Sequence, residues 1–105
     1  MAPHMNRANA WQTQRAQEIA RTVGEGECGL GPSALLAMAA RLLASSLWLF
    51  EKGASGDDPE ALERSARLGK EFRLASAEAY ELARKEAKDR RAASQVGESL
   101  ITTLG

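Results

Sequence analysis

Apolar residues recur at three- and four-residue spacings along most of the chain, the period of amphipathic helices. Residues 6–23 predict a first helix with Trp11, Ile19 and Val23 near one face and Ala16 between them. Residues 24–32, GEGECGLGP, hold four glycines and a proline and predict a loop. Ser33 is placed to cap a second helix running from Ala34 to Lys52, with Gly53 as its C′ residue. After the turn ASGDD, Asp58-Pro59-Glu60 is a strong start signal: an acidic N-cap, proline at N1 and a second acid in the first turn. The third helix is expected to reach about Ala93. The tail SQVGESLITTLG keeps Val96, Leu100, Ile101 and Leu104 for a short apolar face.

These lengths predict an architecture. At 1.5 Å per residue the second helix is about 28 Å long and the third about 51 Å, so a short turn pairs them antiparallel and leaves about 15 residues overhanging. Tyr80 and Leu82 fall on the overhang and need cover, from the first helix or from another subunit. The chain divides into 1–32 (helix and Gly-rich loop), 33–93 (helical hairpin) and 94–105 (apolar tail).

The apolar rows point towards a homo-oligomer. On the second helix Leu36, Leu43, Leu47 and Phe50 form one row and Leu35, Leu42 and Leu49 another. Together they cover about 160°, against roughly 100° for a helix that buries one side. Trp48 and Met38 lie outside even that arc. On the third helix Leu68, Phe72, Ala75, Ala79 and Leu82 follow a 4-3 spacing. Ser65, Gly69, Ala83 and Ala87 beside them suit a close helix pair. The expected core is Leu35, Leu36, Leu42, Leu43, Leu47, Phe50, Leu68, Phe72 and Leu82. The expected subunit interface is Leu35, Leu42, Trp48, Leu49, Leu74 and Tyr80. A monomeric three-helix bundle with scattered exposed apolar residues stays open as the alternative.

Composition agrees with an all-α chain: 20 Ala and 13 Leu stand against two Val and two Ile in 105 residues. One cysteine and one histidine exclude a disulfide scaffold and make a zinc site hard to build. His4-Met5 reads as a cloning scar, with Met5 the natural start. No secretory signal is expected, since residues 1–23 carry Arg7, Arg15 and Arg21 and no apolar core. Ala34 to Phe50 is the nearest thing to a membrane span, but it is short and holds Arg41, Ser45 and Ser46. With an unpaired Cys28, the expected location is cytoplasmic and no membrane partner is expected.

Catalytic and cofactor chemistry find little support. Gly24, Gly26 and Gly29 spell G-x-G-x-x-G, yet a helix precedes them, and Glu25 and Glu27 would repel a phosphate. Cys28 lacks a base to activate it. Glu60–Arg64, Glu63–Arg67 and Glu81–Lys85 are ordinary i,i+4 pairs, and Glu-x-x-His is absent. A helix-turn-helix starting at residue 16 fails because the next helix begins about nine residues late and is too apolar. Neither an enzyme, a cofactor nor a metal is expected. The zero net charge nevertheless hides local bias: residues 84–91, RKEAKDRR, hold five cations and two anions. Such a bias also suits the end of a helix without any ligand.

Residues 33–91, SALLAMAARLLASSLWLFEKG followed by DDPEALERSARLGKEFRLASAEAYELARKEAKDRR, resemble the helical hairpins of small terminase subunits. Those are the ring-forming, DNA-recruiting components of tailed-phage and gene-transfer-agent packaging motors. The likeness is architectural: an Ala/Leu-rich helix, a short acidic turn and a longer charged helix with a basic end. It implies a non-enzymatic, homo-oligomeric DNA-packaging adaptor. The compact N-terminal DNA-binding domain of that family is missing. Double-stranded DNA would therefore fall to the basic segments, through Arg7, Arg15, Arg21, Lys85, Lys88, Arg90 and Arg91, with little sequence specificity. The family's C-terminal segments engage a large ATPase subunit; Val96, Leu100, Ile101 and Leu104 are the counterpart here. The other reading is a small helical protein-binding module, a phage-encoded inhibitor or regulatory adaptor, that docks through Trp48, Leu74 or the tail without DNA.

Overall fold

The carboxylate of Asp58 opens the longest element of the protein. In the computed structural model, which describes the backbone of residues 2–104 and the side chains of residues 2–95, Asp58 Oδ1 accepts the backbone N–H groups of Glu60 and Ala61 at 3.2 and 3.3 Å. These would otherwise be orphan donors of the first turn. Three helices make up the described residues, with no strand: α1 (Ala2–Arg21), α2 (Leu30–Gly56) and α3 (Pro59–Leu104). The all-α class is what the chain adopts.

Every helix is longer than the pattern predicts. α1 begins at Ala2 rather than residue 6 and ends at Arg21, before a turn over residues 22–26. α2 begins at Leu30, not Ala34, because Pro32 falls within the first turn, where its missing N–H leaves no hydrogen bond unmade. Ser33 is therefore not the cap. Its hydroxyl donates back to the Cys28 carbonyl at 3.3 Å, and Gly29 occupies the N-cap without a side-chain hydrogen bond. Nor is Gly53 the C′ residue. The helix runs on to Gly56 and stops at Asp57, which is left-handed (φ 50°) and donates its N–H to the Gly53 carbonyl. α3 continues past residue 93 to Leu104 without a break, so the residues expected to form a separate tail are helical. The side chains of Val96, Leu100, Ile101 and Leu104 lie outside the described residues.

The three helices lie side by side with alternating direction. Ser46 meets Ser65, while Gly53 packs on Leu62 and Gly31 on Leu82, so α2 and α3 run antiparallel. α1 runs back along α2, with His4 at Glu51, Ala8 beside Ala40 and Ala44, and Ile19 beside Leu36. It also touches α3: the Trp11 and Phe72 rings lie 4.8 Å apart at 59°, and Ile19 packs on Ala79 and Ala83. Tyr80 and Leu82 thus gain their cover from α1 and from the longer α2.

The core departs from the leucine-rich set that the rows predict. The buried hydrophobic residues are Ile19 and Leu36 together with Ala8, Ala39, Ala40, Ala44, Ala61, Ala75, Ala79, Ala83 and Ala87. Phe50, expected inside, is 59% exposed. Leu35, Leu42, Leu43, Leu47, Leu68, Phe72 and Leu82 are half-buried. The reason is spacing. Side chains no larger than a methyl let two helix backbones approach until a larger residue no longer fits between them. A Cβ on Gly53 would sit 2.7 Å from Leu62 Cγ. At the same seam the Ser46 hydroxyl donates to the Ser65 carbonyl at 2.9 Å and the Ser65 hydroxyl to the Ser46 carbonyl at 2.8 Å. The buried Ser65 hydroxyl is thereby satisfied.

α2 is long and apolar enough to cross a membrane by length and composition. In this fold its buried positions Leu36, Ala40, Ala44 and Gly53 are packed against α1 and α3.

Substitution at the seam should be more damaging than loss of a large exposed side chain. Ala79→Leu, at a fully buried position, is expected to lower unfolding stability by about 1–3 kcal/mol in urea titrations. Phe50→Ser should change it by less than about 0.5 kcal/mol. The opposite order would mean that the alanine seam is not the core.

Candidate interaction surfaces

The Gly-rich loop owes its shape to α3. Gly24 is buried, and a Cβ there would overlap the Glu27 carbonyl, so only glycine fits. Glu25 follows at φ 52° and Gly26 at φ 97°, both left-handed. Two arginines of α3 hold this turn. Arg90 donates to the Gly24 carbonyl at 2.7 Å and lies 3.4 Å from Glu27, and Arg91 pairs with Glu25 at 3.0 Å. The G-x-G-x-x-G pattern is a turn between two helices whose acids face arginines.

This clamp changes the electrostatics expected from sequence. The loop acids offset the basic run by direct contact, and Arg90 and Arg91 are engaged within the chain. Arg15 is engaged too, between Glu18 and Tyr80. Hydrogen bonding to the Tyr80 phenol, and then the Glu18 charge, hold its guanidinium above its already high range, outweighing desolvation. Arg7 stands at the far end of the molecule, in an open cleft of about 480 Å³ with His4, Trp48, Glu51, Lys52 and Ser55. In that cleft His4 Nε2 lies 2.6 Å from Glu51, and Lys52 Nζ stands 5.3 Å from the Trp48 ring centre. Arg21 closes α1 immediately before the turn that Arg90 and Arg91 hold. The seven predicted cations therefore form no single band.

A different cationic surface is present. Lys70, Arg73, Arg84 and Lys88 are all exposed, and helical spacing puts them on one side of α3 over about 27 Å. Arg84 pairs with Glu81 at 3.4 Å; Lys70, Arg73 and Lys88 make no ion pair among the described residues. Of these four, Lys88 alone was among the predicted contacts, although the phase of Lys70, Arg73 and Arg84 with it is readable in the sequence.

The predicted subunit interface divides as well. Leu35 and Tyr80 pack on the Ile19–Leu36 cluster and belong to the chain's own core edge. Trp48 lies at the Arg7 cleft. The remaining three gather on the α2–α3 face away from α1, where two shallow grooves run between the helices. Met38, Leu42, Leu74 and Ala75 line one, flanked by Glu71 and Glu78. Leu49 and Leu68 line the other, flanked by Arg64, Arg67 and Glu71. Leu74 is 56% exposed and Met38 47%.

Among the described residues no group of His, Cys, Asp and Glu has the arrangement to hold a metal ion. Comparison with protein-family models, curated proteins and solved structures yields no match in any of the three.

The clamp can be tested directly. Arg90→Ala removes a charged donor from the Gly24 carbonyl, and stability should fall by about 1.5–3 kcal/mol. Amide exchange at Gly24, Gly26 and Glu27 should accelerate more than in the middle of α2. Unchanged exchange in the loop would show that Arg90 does not hold it.

Proposed function

We propose that this protein is a non-catalytic helical adaptor of the cytoplasm, joining double-stranded DNA to a protein in the manner of a small terminase subunit. One observation carries the reading. The exposed side of the α2–α3 pair is split into a cationic stripe, Lys70 to Lys88, and an adjoining apolar face, Met38 to Leu74. The stripe suits a phosphate backbone, because its side chains are exposed and spaced along one helix, and contact of this kind reads little sequence. The apolar face suits a protein. Assembly into a homo-oligomer and recruitment of a large ATPase through Val96, Leu100, Ile101 and Leu104 belong to the same proposal.

A second reading, a protein-binding module without DNA, is favoured by the engagement of Arg15, Arg90 and Arg91 inside the chain. A mobility-shift titration separates the two. Through the four cations of the stripe, affinity for duplex DNA should fall about a hundredfold between 50 and 200 mM salt. Lys70→Ala with Lys88→Ala should reduce the slope of log affinity against log salt by about 2. Absence of a shift at low salt would leave the protein-binding reading.

A further inference from the structure

The open face of α2 and α3 carries a charge order that names its occupant. Going along α3 from Glu60 to Lys85, the exposed residues that border the grooves or continue the same side of the helix are Glu60, Arg64, Arg67, Glu71, Leu74, Glu78, Glu81 and Lys85, with Glu63 at the edge of that side and Asp89 beyond its end. The series inverts about its middle. Counting outwards from the level between Phe72 and Arg73, Arg67 stands as far out as Glu78, Arg64 as far as Glu81, and Glu60 as far as Lys85. The uncharged Leu74 stands as far out as Glu71.

We infer that a second copy of this chain packs antiparallel on the face that α1 leaves open, about a two-fold axis at the level of Phe72 and Arg73. The inference rests on the reading of that face as a docking surface and names its partner. Under this symmetry each contact occurs twice: Arg67 of each copy faces Glu78 of the other, Arg64 faces Glu81, and Lys85 faces Glu60. Leu74 lies over the aliphatic stem of Glu71. On α2, the same axis brings Met38 of one copy to Leu42 of the other, joining the apolar grooves. The arrangement is isologous and closes at two chains.

Registers displaced by four residues are worse. Sliding the second copy by four residues sets Arg64 against Lys85 and Glu71 against Glu78, and four the other way sets Glu60 against Glu81 and Glu63 against Glu78. A slide of three residues is the competing register, pairing Arg67 with Glu81 and Glu63 with Lys85, and joint reversal of Arg67 and Glu78 separates it from the one inferred. A parallel copy in register sets every charge against its own kind. Like charges held together across an interface penalise the wrong arrangement more than opposite charges strengthen the right one, so the order on α3 selects the antiparallel direction and disfavours the four-residue slides, while Met38, Leu42 and Leu74 supply the apolar contact. The intrachain pairs Glu63–Arg67 and Glu81–Arg84, both 3.4 Å and exposed, are weak enough to exchange for contacts across the axis.

Sedimentation equilibrium on the full chain tests this. The expected mass is about twice 11.3 kDa at high concentration, falling reversibly on dilution. Arg67→Glu and Glu78→Arg should each weaken the dimer about tenfold or more, because each creates two like-charge contacts. The combined variant should return to within about threefold of the original. Circular dichroism on each variant checks that the helices are retained, and the rescue excludes misfolding as the cause. A monomer at every concentration, a mass above two chains, a dimer indifferent to either reversal, or a double variant no better than the singles would overturn the inference. Failure here leaves DNA binding to be judged by its own mobility shift.

Discussion

The close approach of α2 to α3 is the constraint on which the rest of the molecule depends. Gly53 and Gly31 lie where added side chains would meet Leu62 and Leu82, and Ser46 and Ser65 bond reciprocally to each other's backbone carbonyls. A buried alanine methyl contributes roughly 0.8 kcal/mol, well below the 1.5–3 kcal/mol of a buried leucine. A seam of this kind therefore gains its strength from many short-range contacts between helices rather than from a few large side chains. Its packing tolerates little added volume.

The large side chains are displaced as a consequence. With no room between α2 and α3, leucines and aromatics stand at the edges of the pair, where a further element must cover them. α1 covers one side. Trp11 bridges to Phe72, Ile19 reaches Leu36, Ala79 and Ala83, and the Gly24 turn returns the chain beneath Arg90. Two paired helices have two sides, and one additional helix fills one groove. The exposure of Met38 and Leu74 follows from that geometry.

Helix content was legible from alanine and leucine abundance, and the start of α3 from Asp58-Pro59-Glu60, because both are local signals. Ser33 and Gly53 misled for a shared reason. Each has the residue type of a cap, but the helix boundaries are fixed elsewhere, by Pro32 fitting the first turn and by Asp57 adopting the left-handed conformation. The core was mistaken because hydrophobicity ranks leucine above alanine, whereas the distance between helices selects for size. Signals for both the alanine seam and the Lys70–Lys88 stripe were present as helical phase. The contacts of Glu25 and Glu27 with Arg91 and Arg90 cross more than sixty residues of sequence, and no local pattern reveals them.

The clamp also accounts for where the two candidate surfaces lie. By pairing Arg90 and Arg91 with Glu27 and Glu25, the loop offsets part of the chain's densest run of cations and leaves unpaired positive charge along the middle of α3. A spread stripe matches the regular spacing of a phosphate backbone, whereas a dense knot of five cations would attract any polyanion. Helical phase places Lys85 on the side of α3 that carries Glu60, Arg64 and Glu78, where its charge contributes to an ordered sequence of signs. Neutrality of the whole chain and order on its surfaces are thus compatible: along α3 acids and bases alternate and pair only weakly within the helix, and across the fold they meet at the Gly24 turn.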